Sequence, residues 1–355
     1  HAFAARFYLF KRDYKKVIEH ANAVLGTDSA TIYSQLMDWA PFDSCSSSGD
    51  YAKVWQDFNS SNNLMIMGTY SNIMRHALGY RFALVGQPAR DVIFHSSPMW
   101  QSYAANPSCL VGGYLFWTGE DYGYTAGKIA ERFQYTDRLA GTGFVHTMRR
   151  EFTRSELLLE RAEAEIMLGQ YDNAFQDMNL YTRGMQKFSP ATYRTYQSQA
   201  RMRPLSRDML DSYYALSSNP NCFADWNFTQ QMSSSFVVPA EAVKYMNCLN
   251  DLRRFEVLWD GLRFFDLKRW GIEYSHTYGP DATVYTLKWN DPRRALEIPA
   301  AAIQAGLQPS HSTTETPGSA KKVAFDEFFS DPTPSAVSAS NNAKLDNSES
   351  YVIKK

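Results

Sequence analysis

The chain has 355 residues, room for a sizeable core and two or three lobes. Its formal net charge of −1 argues against a nucleic-acid partner, which needs a basic stripe, and no run approaches the ~18 apolar residues of a membrane-spanning helix. The 8 Trp, 22 Tyr and 22 Phe are enough to serve either a large core or a ligand surface built from flat rings.

Residues 2–25 carry apolar side chains at helical spacing in two runs, split by the polar turn Lys11-Arg12-Asp13 and stopped by Gly26 and Thr27-Asp28-Ser29. Ala2 already lies inside this pattern with no capping residue before it, and no secretory signal opens the chain. Further residues are therefore expected upstream, with any targeting signal among them. The same double pattern returns 157 residues later, from Leu157 to Leu180. At that offset Ala5 matches Ala162, Leu9 matches Ile166, Phe10 matches Met167 and Tyr14 matches Tyr171, while Val17 and Ile18 match Ala174 and Phe175. Small residues fall where two helices must approach, as in a tetratricopeptide-type repeat, whose helix pair cannot bury its apolar face alone.

The predicted organisation is mainly α: a tetratricopeptide-like helical repeat scaffold with an irregular, loop-rich aromatic lobe inserted between repeats. Residues 1–26 form the first hairpin. Residues 27–150 form the lobe, rich in Gly, Ser, Asn and aromatics, with short apolar runs at Leu64–Met67 and Tyr114–Trp117. Residues 151–186 form the second hairpin, with Thr153 or Ser155 as its cap and Glu156, Arg161, Glu163 and Glu165 on wet or ion-paired faces. Residues 187–309 hold loops and then, from Pro239, a helix pair over Ala240–Leu252 and Arg253–Trp270. Residues 310–355 are a Ser/Asn-rich extension in which Val323–Phe329 is the apolar exception, expected to dock in part against the body.

The run from Asn250 to Gly271 is the most charge-dense part of the chain. Asp260, Arg263, Asp266 and Arg269 follow one another at a spacing of three, which sets opposite charges on neighbouring turns if the helix is continuous. Gly261 offers the other possibility, a bend between two helices. Glu256 and Asp266 make a poor acid–base pair. Each has an arginine within helical reach, and such pairing depresses a carboxylate pKa where a general acid needs it raised.

Seven single histidines without an H-E-x-x-H pattern, and Cys45, Cys109, Cys222 and Cys248 without a C-x-x-C pair, predict no metal site. The cysteines fit either one long-range disulfide or buried free thiols. Neither a G-x-S-x-G nucleophile motif nor a phosphate-cradling G-x-x-x-x-G-K-[ST] occurs, so no catalytic residue and no cofactor is expected.

The lobe sets Tyr70, Tyr80, Phe94, Trp100, Tyr103, Tyr114, Trp117, Tyr122 and Tyr124 among amides, carboxylates and guanidiniums in loop-like sequence. Rings that stack on a pyranose face, beside groups that take its hydroxyls, are what a sugar site needs. Trp100 and Trp117 stand next to turn chemistry that tends to lie on the surface. With Tyr80 and Tyr103 they form the candidate platform, and Arg75 and Asp91 are the candidate polar clamps.

At this point the residues resemble a known family. The run Leu157-Leu158-Leu159-Glu160-Arg161-Ala162-Glu163-Ala164-Glu165-Ile166-Met167-Leu168-Gly169-Gln170-Tyr171 is similar to the repeat helix of SusD/RagB-type proteins. The residues Arg254, Glu256, Gly261, Arg263, Phe265, Asp266, Arg269 and Trp270 resemble that family's most distinctive signature, and Leu296-Glu297-Ile298-Pro299 its closing element. The matches frame residues 2–309. The resemblance implies a non-enzymatic, cell-surface glycan-binding protein of Bacteroidetes-type bacteria. Such a protein is lipid-anchored to the outer membrane, sits on a SusC-like TonB-dependent transporter and passes it an extracellular oligosaccharide. It implies no binding residue, because the matched motifs are structural. The family's N-terminal portion with its lipid-bearing Cys is not among these residues, and the segment after Pro309 is longer than the family pattern. A peptide-binding relative and a repeat scaffold that binds only a protein partner are the alternatives.

Overall fold

The computed structural model describes residues 1–38, 40–45, 47–74, 98–99, 113–118, 121–185, 204–217, 228, 236–278, 283–288, 291–295, 297–309 and 321–322. Helices make the body. The first hairpin pairs α1 (Ala2–Lys11) with α2 (Tyr14–Leu25), and the second pairs α5 (Arg154–Met167) with α6 (Tyr171–Gly184). Between them come α3 (Ser29–Gln35) and α4 (Ser48–Trp55). After them come α7 (Arg207–Ser212), α8 (Val243–Glu256), α9 (Arg263–Trp270) and α10 (Ala300–Gln304).

Local chemistry sets the helix ends. Asp13 caps α2 by accepting from the Lys16 amide, Asp28 caps α3 from Thr31, and Thr153 caps α5 by accepting from the Glu156 amide at 3.1 Å. Ser155, the other expected cap, lies inside α5 and donates to Asn62 Oδ1 at 2.7 Å.

Three of the pairs matched across the two hairpins are alike in burial. Ala5 and Ala162, Leu9 and Ile166, and Val17 and Ala174 are all buried at 0–1% exposure in one continuous core. Small side chains at these points let α2 lie against α5, and α5 in turn carries α8. The α5 charges are buried rather than wet: Glu156, Arg161 and Glu163 are ion-paired, and Glu165 is buried beside the Arg161–Asp177 pair.

Among the described residues, three small antiparallel sheets attach to this body. The first has the order β1–β5–β4, from β1 (Asn63–Tyr70), β5 (Thr142–Thr153) and β4 (Glu131–Asp137). The second pairs β2 (Gly113–Thr118) with β3 (Asp121–Ala126). The third joins β6 (Tyr274–Tyr278), β7 (Thr283–Leu287) and β8 (Lys321–Lys322). Apart from β8, residues 310–355 lie outside the described residues.

The expected helix break at Leu252/Arg253 is corrected: α8 continues to Glu256, and residues 257–262 form a sharp corner before α9. Arg253 and Arg254 are 2% exposed, held inside by carboxylate partners, so the helix has no reason to end at them. The corner needs left-handed backbone at Trp259 (φ 64°) and Gly261 (φ 78°). Glycine takes that conformation without steric cost, whereas tryptophan pays for it.

Candidate functional site

The signature run is an ion-paired clamp. Arg253 holds Asp266 through Nε and Nη2 at 2.7 and 3.0 Å, closing α8 onto α9 across the corner. Arg269 bonds Asp266 at 3.1 Å and grips both oxygens of Glu163 on α5, and Trp270 Nε1 donates to the same Glu163 at 3.0 Å. Arg254 reaches Asp251 at 3.2 Å. Glu256 accepts from Tyr181 at 3.0 Å and from Thr153 at 3.2 Å. Phe265 is 44% exposed and meets Phe10 of α1 edge-on.

Burial raises Asp266, but Arg253 and Arg269 outweigh it and hold its carboxyl below the usual range. Asp266 is a locked anion and no proton donor. Glu160 differs: burial, and then the charge of Glu156, push it well above the usual carboxylate range. It sits on α5 beside Arg6 and Glu156, within the packing between the hairpins. Among the described residues no group of three or more His, Cys, Asp or Glu is placed to hold a metal ion, and no helix is long and apolar enough to cross a membrane. Cys248 is a buried free thiol.

The same corner grips the first sheet. Buried Lys128 donates to the Glu256 carbonyl at 2.5 Å and to Asp260 at 2.9 Å, and Arg149 on β5 donates to the Asp260 carbonyl at 3.3 Å. Asp260 thus pairs with Lys128 and not, as the spacing of three suggested, with a neighbour on its own helix. On the other face of the sheet the Arg150 guanidinium lies 4.1 Å from the Trp55 ring centroid, over the small core of Met37, Phe42, Tyr51 and Trp55.

Away from this grip the sheet becomes an exposed aromatic surface. Tyr70 stands directly opposite His146 on β5, with ring centroids 4.4 Å apart, and Phe144 meets Tyr70 edge-on at 5.4 Å. Arg132 and Gln134 on β4 pair with His146 and Phe144, so all five side chains share one face. Tyr70 is 72% and Phe144 54% exposed. The opposite face carries Phe133 and Tyr135, ring centroids 4.9 Å apart, made possible by Gly143. A Cβ there would come within 2.1 Å of the Gln134 carbonyl oxygen and 2.8 Å of the Phe133 ring. At the turn, Asp137 accepts from the Leu139 and Ala140 amides at 2.8 and 3.0 Å.

Of the platform residues expected from sequence, Tyr80, Trp100 and Tyr103, with Arg75 and Asp91, lie outside the described residues. Trp117 falls on β2 opposite Tyr122 of β3, and only its backbone is described. The Tyr70–Phe144–His146 surface was missed as a unit. Its signal is the alternation of aromatics at 133 and 135 and at 144 and 146 around Gly141-Thr142-Gly143, a period-two hairpin pattern.

Fold and site together define a class: a helical-hairpin scaffold locked by a buried ionic corner and bearing a projecting aromatic sheet. Neither a family model nor a curated protein matches the chain. Among solved structures it is similar to a SusD-like protein from Bacteroides fragilis, at 15% identity and a TM-score of 0.45, over 86% of this chain and 62% of that one. The chain thus spans less than two thirds of that protein's length.

Proposed function

We propose that this protein binds an extracellular oligosaccharide or polysaccharide at the cell surface, without chemistry, and delivers it to a TonB-dependent outer-membrane transporter. The observation that carries the reading is the exposed Tyr70–Phe144–His146 surface with Arg132 and Gln134 on the same face. Solvated rings beside hydrogen-bonding side chains suit a pyranose. The SusD/RagB-like signature run gives the reading its cellular setting: a lipid-anchored lid on the outer membrane, with the hairpins as support and residues 27–150 as the ligand lobe. Trp100, Trp117, Tyr80 and Tyr103, with Arg75 and Asp91, are proposed to extend the platform.

A second observation favours a protein partner for the hairpins. Phe3, Phe7 and Phe10 on α1 and Phe265 on α9 are 44–68% exposed, and Phe3 and Phe7 stack at 6.3 Å. A row of exposed rings on a rigid helix suits docking to the transporter.

The test is a binding screen of the whole chain against polysaccharide and peptide panels, followed by Tyr70→Ala and Phe144→Ala. Glycan binding should weaken about tenfold per ring, the equivalent of about 1.4 kcal/mol of stacking. Trp100→Ala and Trp117→Ala should weaken it as well. Binding to peptides and to no glycan would replace the ligand class. Glycan binding unchanged in all four variants would remove the aromatic surface from the site.

A further inference from the structure

The signature run contains four arginines, and three of them have carboxylates. Arg253 has Asp266, Arg254 has Asp251, and Arg269 has Glu163 and Asp266. Arg263 has none among the described residues. Its Nη1 is buried and bonds no described group. Its contact is with the Trp270 ring, whose centroid lies 5.8 Å from the guanidinium carbon, and Trp270 also faces Arg269 at 5.0 Å.

The field at Arg263 is adverse. Burial first, and then the charge of Arg254, bring its pKa down to about 9; Arg253 adds to this, while Asp266 and Asp251 oppose it. Two further donors of the same corner, Arg253 Nη1 and Trp259 Nε1, are buried without a hydrogen-bond acceptor. The nearby carboxylates are committed elsewhere. Asp266 is held by Arg253 and Arg269, and Asp251 takes Tyr214 and Arg254.

A guanidinium with no ion-paired carboxylate in a partly desolvated place is unfavourable, and an anion bound there offsets that penalty. The planar fork of Arg263 fits two oxygens of one group, and indole N–H is a donor with no acceptor character. The residue is partly exposed as a whole although its Nη1 is buried, so an anion reaches the guanidinium from its solvent-facing side.

We infer that the α8–α9 corner is an oxyanion site, in which Arg263 is the ligand for a small carboxylate, sulfate or phosphate group. The site is separate from the aromatic surface on the first sheet and does not depend on the glycan reading.

Thermal unfolding of the full chain is followed while sulfate, phosphate or acetate replaces chloride at fixed ionic strength. The parent midpoint should rise and saturate within the low-millimolar range by mass action, and Arg263→Met should abolish the saturating component. General salting effects stay linear and common to both proteins. The acetate arm separates a carboxylate site from a tetrahedral-oxyanion site. If Arg263→Met does not fold, Arg263→Lys keeps the charge without the fork and should weaken the half-saturation point about tenfold. A linear response in the parent, or equal saturation in parent and variant, overturns the site.

Discussion

Glu163 is fully buried and accepts from three donors on α9: two nitrogens of Arg269 and the Trp270 indole. Removing it would leave the buried Arg269 guanidinium only its bond to Asp266 and strand the indole N–H, so Glu163→Ala should cost about 3–5 kcal/mol. The exposed pair Lys244–Asp211, with side chains 33% and 59% accessible, is the control; Asp211→Ala should cost less than about 1 kcal/mol. Urea unfolding midpoints at constant slope measure both. A Glu163→Ala loss no larger than that of Asp211→Ala would mean that α9 does not depend on this contact. The chemistry of this residue was open to two readings in the sequence. Glu163 lies on a helix whose polar positions fit either water or ion pairs, and a helical period cannot separate them. The decision belongs to Arg269, 106 residues away, which arrives only through the fold.

At the scale of elements, the pairing of α5 with α6 has a pH dependence built into it. Arg161 on α5 holds Asp177 on α6 at 2.7 and 2.8 Å, while Glu165 sits near the same pair with Oε2 unbonded. Burial, and then the charge of Asp177, push Glu165 up to about 8, against the opposing pull of Arg161. Its ordinary value is 4.5, so the folded chain binds the extra proton between that pH and about 8. Stability contributed by the protonated form is therefore present in acid, declines as pH rises through this window and is gone above it. Asp177, also raised by burial, acts in the same direction. The unfolding midpoint should fall between about pH 5 and pH 8.5, and Glu165→Gln should flatten part of that slope, since Glu160 and Asp177 are raised in the same direction; a slope unchanged in the variant would assign it wholly to those other groups. These two hairpins were legible because close approach requires small residues, and Ala5/Ala162 and Val17/Ala174 recur in phase with larger apolar neighbours. The corner after α8 was only half legible. Charges spaced by three suit a straight helix and a bend alike. Gly261 hinted at the bend, but Trp259 in left-handed backbone gives no sequence signal.

At the scale of the whole molecule, one of the ties between the first sheet and the helical body runs through a single acidic residue, beside those of Arg6 to Glu151 and of Thr153 to Glu256. Asp260 takes the buried Lys128 ammonium at 2.9 Å, and its carbonyl takes Arg149 of β5 at 3.3 Å. This attachment was illegible from sequence because Lys128 lies 132 residues from Asp260 and neither position carries a motif. The aromatic surface beyond it was obscured for a different reason: short strands with alternating rings have the composition of a core, and burial alone distinguishes the two. Asp260→Asn leaves the carbonyl contact in place but removes the counter-charge of a lysine whose side chain is 3% exposed. Breaking such a pair costs about 2–4 kcal/mol, charged locally to whatever must open to rehydrate the ammonium. The expected result is regional. Amide hydrogen exchange should accelerate at Lys128–Thr153, while α6 and the N-terminal half of α8 keep their protection. A uniform acceleration would show that sheet and helices unfold as one unit; no acceleration at all would show that the sheet is held from its α4 side, through Trp55 and Arg150.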